Sequence, residues 1–361
     1  MNNSLENQIH ALWDEAFSLP YGEVQVNLLE QAIPLAEELR DLDVNFHARF
    51  LVLQTGFFGG HAEKSLTQFA WCLAQYERDP VRFEQYYNSL LVNFPNVLVC
   101  VDEFPQINMR QIESLRSQMT THFRQNGLSL RSLYSTTLLF ATRAGDLATA
   151  AETLPLYRNA PHDQAPHTRA AEIDREIEYY DLIGDMETAI ETAGPNLRRE
   201  LSAAEVPHRV MAYVLRPLAT LSRYDEADDY QRRGYRLIRN NPTFLLHFGL
   251  HMSYLVHRGR IDEAMRIFER HLSAALETRL LRSQYLFYLG ARRALTAAAE
   301  RTDVWKLNLP RTFPAYDESG RYDLAELIAW IDGVIQPLGA RFDQRNGVQY
   351  FTQRLIERMS Y

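Results

Sequence analysis

Lysine is almost missing from this sequence. Of its 38 basic residues only Lys64 and Lys306 are lysine, and the rest are arginine. Arginine use this complete follows GC-rich coding and carries no mechanistic weight. Cysteine is equally scarce. Cys72 and Cys100 each sit inside an apolar stretch, which argues against a disulfide framework. No apolar run approaches the roughly 18 residues that a membrane-crossing helix needs. The opening, MNNSLENQIHALWDEAF, lacks a positively charged leader region and carries acidic residues early. A cytoplasmic protein with no membrane partner is the expectation.

The signatures of chemistry are also absent. There is no GxSxG, no GxxxxGK[ST] and no GxGxxG, so the GGH at 59–61 is no phosphate loop. Neither cysteine has the flanking pattern of a nucleophile. His247 and His251 stand four apart on one helical face, a spacing that brings two imidazoles to one metal. No glutamate completes an HExxH pattern and no third ligand is evident, so His251 reads as a packed, hydrogen-bonded core histidine. Acidic clusters such as Glu37-Glu38 and Asp225-Glu226 fit helix starts and solvated faces. No catalytic residue, metal or cofactor is assigned, although spacing along a chain does not exclude a site assembled by folding.

What is present is helical periodicity nearly everywhere, with almost no strand-like alternation. Ile261, Ala264, Ile267, Phe268 and Leu272 share one helical face, while Asp262, Arg266, Glu269 and Arg270 share the other. Hydrophobic residues at 46% and charged residues at 23% are ordinary for a globular chain. An all-α fold is expected. Charge is uneven: residues 1–105 hold 15 acidic and 5 basic side chains, whereas 207–300 hold 15 arginines against 9 acids. Such asymmetry would steer an acidic partner to the C-terminal half, and solvated helix faces account for it as simply. The net charge of −8 disfavours nucleic acid.

A fixed period organises the helices. GDLATA at 145–150, GDMETA at 184–189, SRYDEA at 222–227 and GRIDEA at 259–264 begin 39, 38 and 37 residues apart. In each, a small residue suits the left-handed end of one helix, and Asp in the first two suits the cap of the next. The alanine five positions on suits a close helix–helix approach. Extended backwards, the register meets Gly60 and Gly22, with Ser65 and Asn27 in the alanine positions. Extended forwards, it meets Leu289-Gly290 and then GRYDLA from Gly320, followed by Pro337.

This spelling resembles the tetratricopeptide repeat, whose units carry that glycine, that alanine and a bulky residue four positions later. The unit 245–275 matches best, through Phe248, Leu255, Gly259, Ala264 and Phe268. The resemblance implies a right-handed α-α superhelix of about eight helix pairs. Divergent repeats would fill 1–130, well-formed ones 131–297, an inserted loop 298–319, and a last helix and capping helix 320–361, the cap near 340–359. Pro195 should shorten or kink its helix, and Trp305 and Phe313 could pin the inserted loop.

The resemblance also implies a groove lined by the first helix of each pair. Carried over, its positions are Ser135, Thr142 and Arg143, Asp174 and Glu178, Arg209 and Arg216, Ser253 and His257, and Gln284 and Phe287, with Ser132, Leu139, Asp181, Ala212 and Gly249 beside them. A lining this polar suits a protein or peptide partner. The implied function is a non-catalytic scaffold or adaptor. One alternative is a peptide-responsive regulator similar to bacterial peptide-pheromone receptors, and another is an enzyme with a distributed site.

Overall fold

The computed structural model describes residues 2–20, 22–57, 59–162, 169–201, 203 and 205–360. Through them the chain is all-α, a solenoid of helices that pack in succession. It divides into two units, one of residues 1–101 with 114–128, the other of 102–113 with 129–361.

The first unit contains α1 (Asn2–Ser18), α2 (Glu23–Leu39), α3 (Leu42–Gly56), α4 (Ala62–Arg78) and α5 (Glu84–Cys100), together with α6 (Met109–Gln125) from Ser114 onward. Asp41 caps α3 by accepting from the amides of Asp43 and Val44. Ile9, Val26, Leu29, Ile33, Leu51 and Val52 interlock between α1, α2 and α3. Phe46 stacks on Phe83 at 4.1 Å and Phe94 meets Phe123 edge-on, which carries the core from α3 to α6. Ser65 is fully buried where other pairs have alanine, and its hydroxyl donates to the Leu53 carbonyl at 3.0 Å. Serine therefore serves as the small residue there, at the cost of one polar group that the structure satisfies.

The second unit holds α7 (Arg131–Ala144), α8 (Leu147–Asn159), α9 (Arg169–Ile183), α10 (Met186–Leu197), α11 (His208–Tyr213), α12 (Leu215–Thr220), α13 (Tyr224–Ile238), α14 (Leu245–His257), α15 (Ile261–Glu277) and α16 (Leu281–Ala299). The four repeated turns all end their helices in the same way. Gly145, Gly184, Ser222 and Gly259 have φ of 77°, 84°, 58° and 70°. In each turn the next amide reaches back to a carbonyl five residues earlier, for example Asp146 N to Ala141 O at 2.9 Å and Arg260 N to Leu255 O at 2.8 Å. Asp146 and Asp185 then cap α8 and α10 through the amides of Thr149 and Thr188. Ala150, Ala189, Ala227 and Ala264 are all fully buried. The first helices of successive pairs, α7, α9, α11, α14 and α16, pack side by side.

Beyond α16 the structure departs from the repeat. Val304–Lys306 (β1) and Arg321–Asp323 (β2) pair antiparallel, so the turn expected at Gly320 is instead the entry to a strand. The segment between them is held by Leu307, Leu309 and Phe313, all buried, and Phe313 lies edge-on to Trp330 at 4.9 Å. Helix α17 (Leu324–Asn346) runs through Pro337 rather than stopping there. The expected capping helix near 340–359 is therefore in two parts. Its beginning belongs to α17, and after the left-handed Gly347 a π-turn at Tyr350–Arg354 leads into α18 (Leu355–Met359). Asp343 fixes that turn by accepting from the amides of Tyr350, Phe351 and Thr352. Pro195 lies in the final turn of α10, which ends two residues later at Leu197.

Candidate functional site

The site lies within the second unit, on the face made by its first helices. Helix α7 contributes Thr142 and Arg143, α9 contributes Glu178 and Asp181, and α11 and α12 contribute Ala212, Tyr213 and Arg216. Helix α14 adds Leu246 and Leu250, and α16 adds Arg282 and Leu286. These side chains surround one cavity of about 90 Å³. The C-terminal segment closes its remaining side with Tyr350, Leu355, Arg358 and Met359. The first helices of five successive pairs thus reach a common space, and the face curls almost shut on itself.

Ion pairs hold that closure. Arg143 makes a bidentate pair with Glu178, at 3.0 and 2.8 Å, and reaches Asp102 at 3.3 Å. Asp102, 1% exposed, also receives Arg282 at 3.2 Å and Arg345 at 3.7 Å. Arg282 comes within 3.8 Å of Glu178 as well. Beside them, Glu103 accepts both the amide and the hydroxyl of Ser283, 180 positions away, at 2.8 and 2.9 Å. Arg216 pairs with Asp181 at 2.5 Å, and Arg358 pairs with the other oxygen of that carboxylate.

Burial governs the protonation of these groups, with the arginines acting against it. Burial alone would raise Glu178, but Arg143 holds it below the ordinary glutamate range. Glu103 has weaker cationic help, and burial leaves it raised. Asp174 is pushed up to about 6 by burial, against the pull of Arg209 at 2.7 Å. His251 is lowered to about 3 by burial, and His247 falls well below its usual value through burial and then the fields of Arg209, His251 and Arg143. His251 is buried as the sequence implied, and so is His247, but among the described residues no ring nitrogen of either has a hydrogen-bond partner, so His251 is packed without the hydrogen bond expected of it. Tyr213 at 5.2 Å and Tyr235 at 5.9 Å pack against them instead. Among the described residues no three His, Cys, Asp or Glu side chains are grouped to share a metal ion.

Of the groove positions carried over from the repeat pattern, Thr142, Arg143, Glu178, Asp181, Ala212 and Arg216 line the cavity. Arg209 and Asp174 pair with each other, and Arg209 also with Glu205 at 2.9 Å, but they do not line it. Ser135 is buried and accepts from Arg175; Ser132 and Leu139 are buried in α7. Ser253 is fully buried, Phe287 is in the core near Phe268, and Gln284 donates to the Ala275 carbonyl at 2.7 Å. His257 lies 6.0 Å from the Tyr224 ring. Gly249, expected to face the groove, is instead the contact between α14 and α16. A Cβ there would come within 2.2 Å of the Leu286 carbonyl, and one on Gly290 within 2.3 Å of the Gly249 carbonyl. That crossing turns α14 and α16 so that Leu246, Leu250, Arg282 and Leu286 face the cavity in place of Gly249, Ser253, Gln284 and Phe287.

The sequence reading missed Tyr213, Leu246, Leu250, Arg282, Leu286 and the four C-terminal residues. Their positions depend on helix rotation and on a return of the chain that no local pattern encodes. No protein-family model matches the chain, and no curated protein is similar to it. The reading of the site therefore rests on its geometry.

Proposed function

We propose that this chain is a non-catalytic binding protein of the tetratricopeptide-like kind, and that it takes part of a protein or peptide into the cavity of its second unit. The observation that supports this is the convergence of five successive first helices on one space lined by charged groups and leucines. Stacked helix pairs that present one face each build a composite binding surface in this way. A cavity of about 90 Å³ is small beside the roughly 300–1,000 Å³ of drug-sized ligand sites. It suits one side chain or one chain end, not the whole length of an extended peptide.

The test is selection from a library of random 12-residue peptides, followed by affinity measurements on the peptides recovered. Leu250→Trp should fill the cavity and weaken them at least tenfold while the circular dichroism stays helical. Equal affinity for both proteins would sink the proposal.

One observation favours a responsive rather than a passive binder. The C-terminal segment supplies four of the cavity's lining residues, so whatever enters also touches the segment. A ligand that binds one seating of that segment better than another shifts the population between them. Hydrogen exchange across residues 348–360 should change when a selected peptide is added, and an unchanged pattern would leave the passive reading alone.

A further inference from the structure

Among the described residues, several buried donors that line this cavity have no hydrogen-bond acceptor, the Thr142 hydroxyl and Nη1 of Arg282 among them. Thr142 is 3% exposed and its hydroxyl has no hydrogen-bond partner among the described residues. Arg282 is 7% exposed, and its Nη1 likewise has none, although its Nε and Nη2 sides face Asp102 and Glu178. A buried donor left without an acceptor destabilises the fold, more so when it is charged. Such groups mark a place where an acceptor belongs.

Charge points the same way. Arg143, Arg216, Arg282 and Arg358 line the cavity, against Glu178 and Asp181. Directly behind the wall stand Arg345 on one side of the balance and Asp102 and Glu103 on the other. Five guanidiniums therefore face four carboxylates even with Glu103 ionised, and burial favours its protonated form. The rest of the lining includes the apolar side chains of Leu246, Leu250, Leu286, Leu355 and Met359.

We infer that the cavity is a carboxylate subsite, which binds an organic acid whose carboxylate meets Arg282 and Thr142 and whose short aliphatic part lies against the leucines. The Nη1 group of Arg282 can donate a charge-assisted hydrogen bond to one carboxylate oxygen while the Thr142 hydroxyl donates to the other. The aliphatic lining rewards an apolar neighbour and gives nothing to a bare inorganic anion. The inference rests on the binding reading above and narrows it. The same chemistry is offered by the end of a peptide and by a small free acid.

Calorimetric titration of the full chain separates these. The probes are N-acetyl-leucine, N-acetyl-leucine amide, butyrate and inorganic phosphate. The acid forms should bind, with the amide at least tenfold weaker. Tighter binding of N-acetyl-leucine than of butyrate assigns the site to a peptide end, and the reverse assigns it to a free acid. Arg282→Gln should weaken the acids at least tenfold. Should that variant lose its helical signal, Thr142→Val, which removes only the hydroxyl, should weaken them about threefold. Equal binding of acid and amide, no binding of either, or binding of phosphate alone would overturn the inference. If the acids bind but the peptide selection yields nothing, the peptide reading fails and the subsite stands. If selected peptides bind equally well as acids and as amides, the subsite fails and the peptide reading stands.

Discussion

Arg358 donates to Asp181, 177 positions earlier in the chain, and the same guanidinium reaches the Tyr350 hydroxyl. Tyr350 in turn lies where a side chain on Gly145 would be, with its ring 2.4 Å from the place a Cβ would take. The C-terminal segment is thus seated on two of the repeated first helices, α7 and α9. On those two helices its seat is made of side-chain hydrogen bonds and one ring, while Phe351 and Met359 join the hydrophobic core.

That seating is open to a direct check. Arg358→Ala should speed hydrogen exchange of residues 348–360 at least tenfold and leave α14 protected, because local openings are set by local contacts. Unchanged exchange in the segment would mean that Asp343 and the aromatic pair of Phe342 and Phe351, stacked at 4.4 Å, hold it without the arginine.

Arg131 ties three helices together from the start of α7. Its guanidinium pairs with Glu172 of α9 at 3.0 Å, donates to the Tyr157 and Ala160 carbonyls that end α8, and lies 4.4 Å from the Tyr157 ring. Arg131→Met removes one partner of a pair whose side chains are 5% and 3% exposed, leaving Glu172 buried without it. The expected loss is about 3–5 kcal/mol in denaturant unfolding. The double variant Arg131→Met, Glu172→Leu should recover most of it, and failure to recover would place the cost in packing around Tyr157.

The crossing of α14 on α16 depends on two glycines. Gly249→Ala puts a methyl group 2.2 Å from a backbone carbonyl that cannot swing aside, so the helices must separate. A loss of about 1–3 kcal/mol follows from overpacking of this size. Gly333→Ala, with open space where its Cβ would go, serves as the control and should not lose stability. Equal effects of the two would mean that helix separation at the crossing is cheap.

Acid should destabilise the second unit through its histidines. His251 and His271 are lowered to about 3 and about 4, chiefly by burial, and His247 falls well below its usual value. A histidine with a depressed folded pKa resists protonation in the native state, so stability is lost as pH falls below the unfolded value of 6.5. At pH 5 this amounts to about 2 kcal/mol for each such histidine. Asp174 acts oppositely, since its raised pKa of about 6 adds stability as pH falls. Its contribution at pH 5 is only about 1 kcal/mol, so the histidines win. Melting temperature should drop between pH 7 and pH 5, and His251→Leu should reduce the drop. An undiminished drop would assign the acid sensitivity elsewhere.

Much of the fold is legible in the spelling of its turns. Gly145, Gly184 and Gly259 are in the left-handed region, Asp146 and Asp185 cap, and the four alanines are fully buried. Each of these is a local requirement, met within a few residues of the chain, and a sequence records local requirements directly. Ser222 adopts the same left-handed conformation at φ 58° without being glycine, so the register, and not the residue type, placed the turn there. The strand pair at 304–306 and 321–323 was not legible, because three-residue strands leave too little alternation to read.

The candidate site divides along the same line. The register of turns in the sequence, matched to the repeat it resembles, offered Thr142, Arg143, Glu178, Asp181 and Arg216 as positions on one face, and all five line the cavity. Only the tertiary structure decided that α14 and α16 turn to offer Leu250 and Arg282, and that Arg358 comes back to meet Asp181. Those outcomes depend on how closely two glycines let helices approach and on which distant carboxylate an arginine reaches. Both are set by packing between segments far apart in the chain, and no local run of residues specifies them.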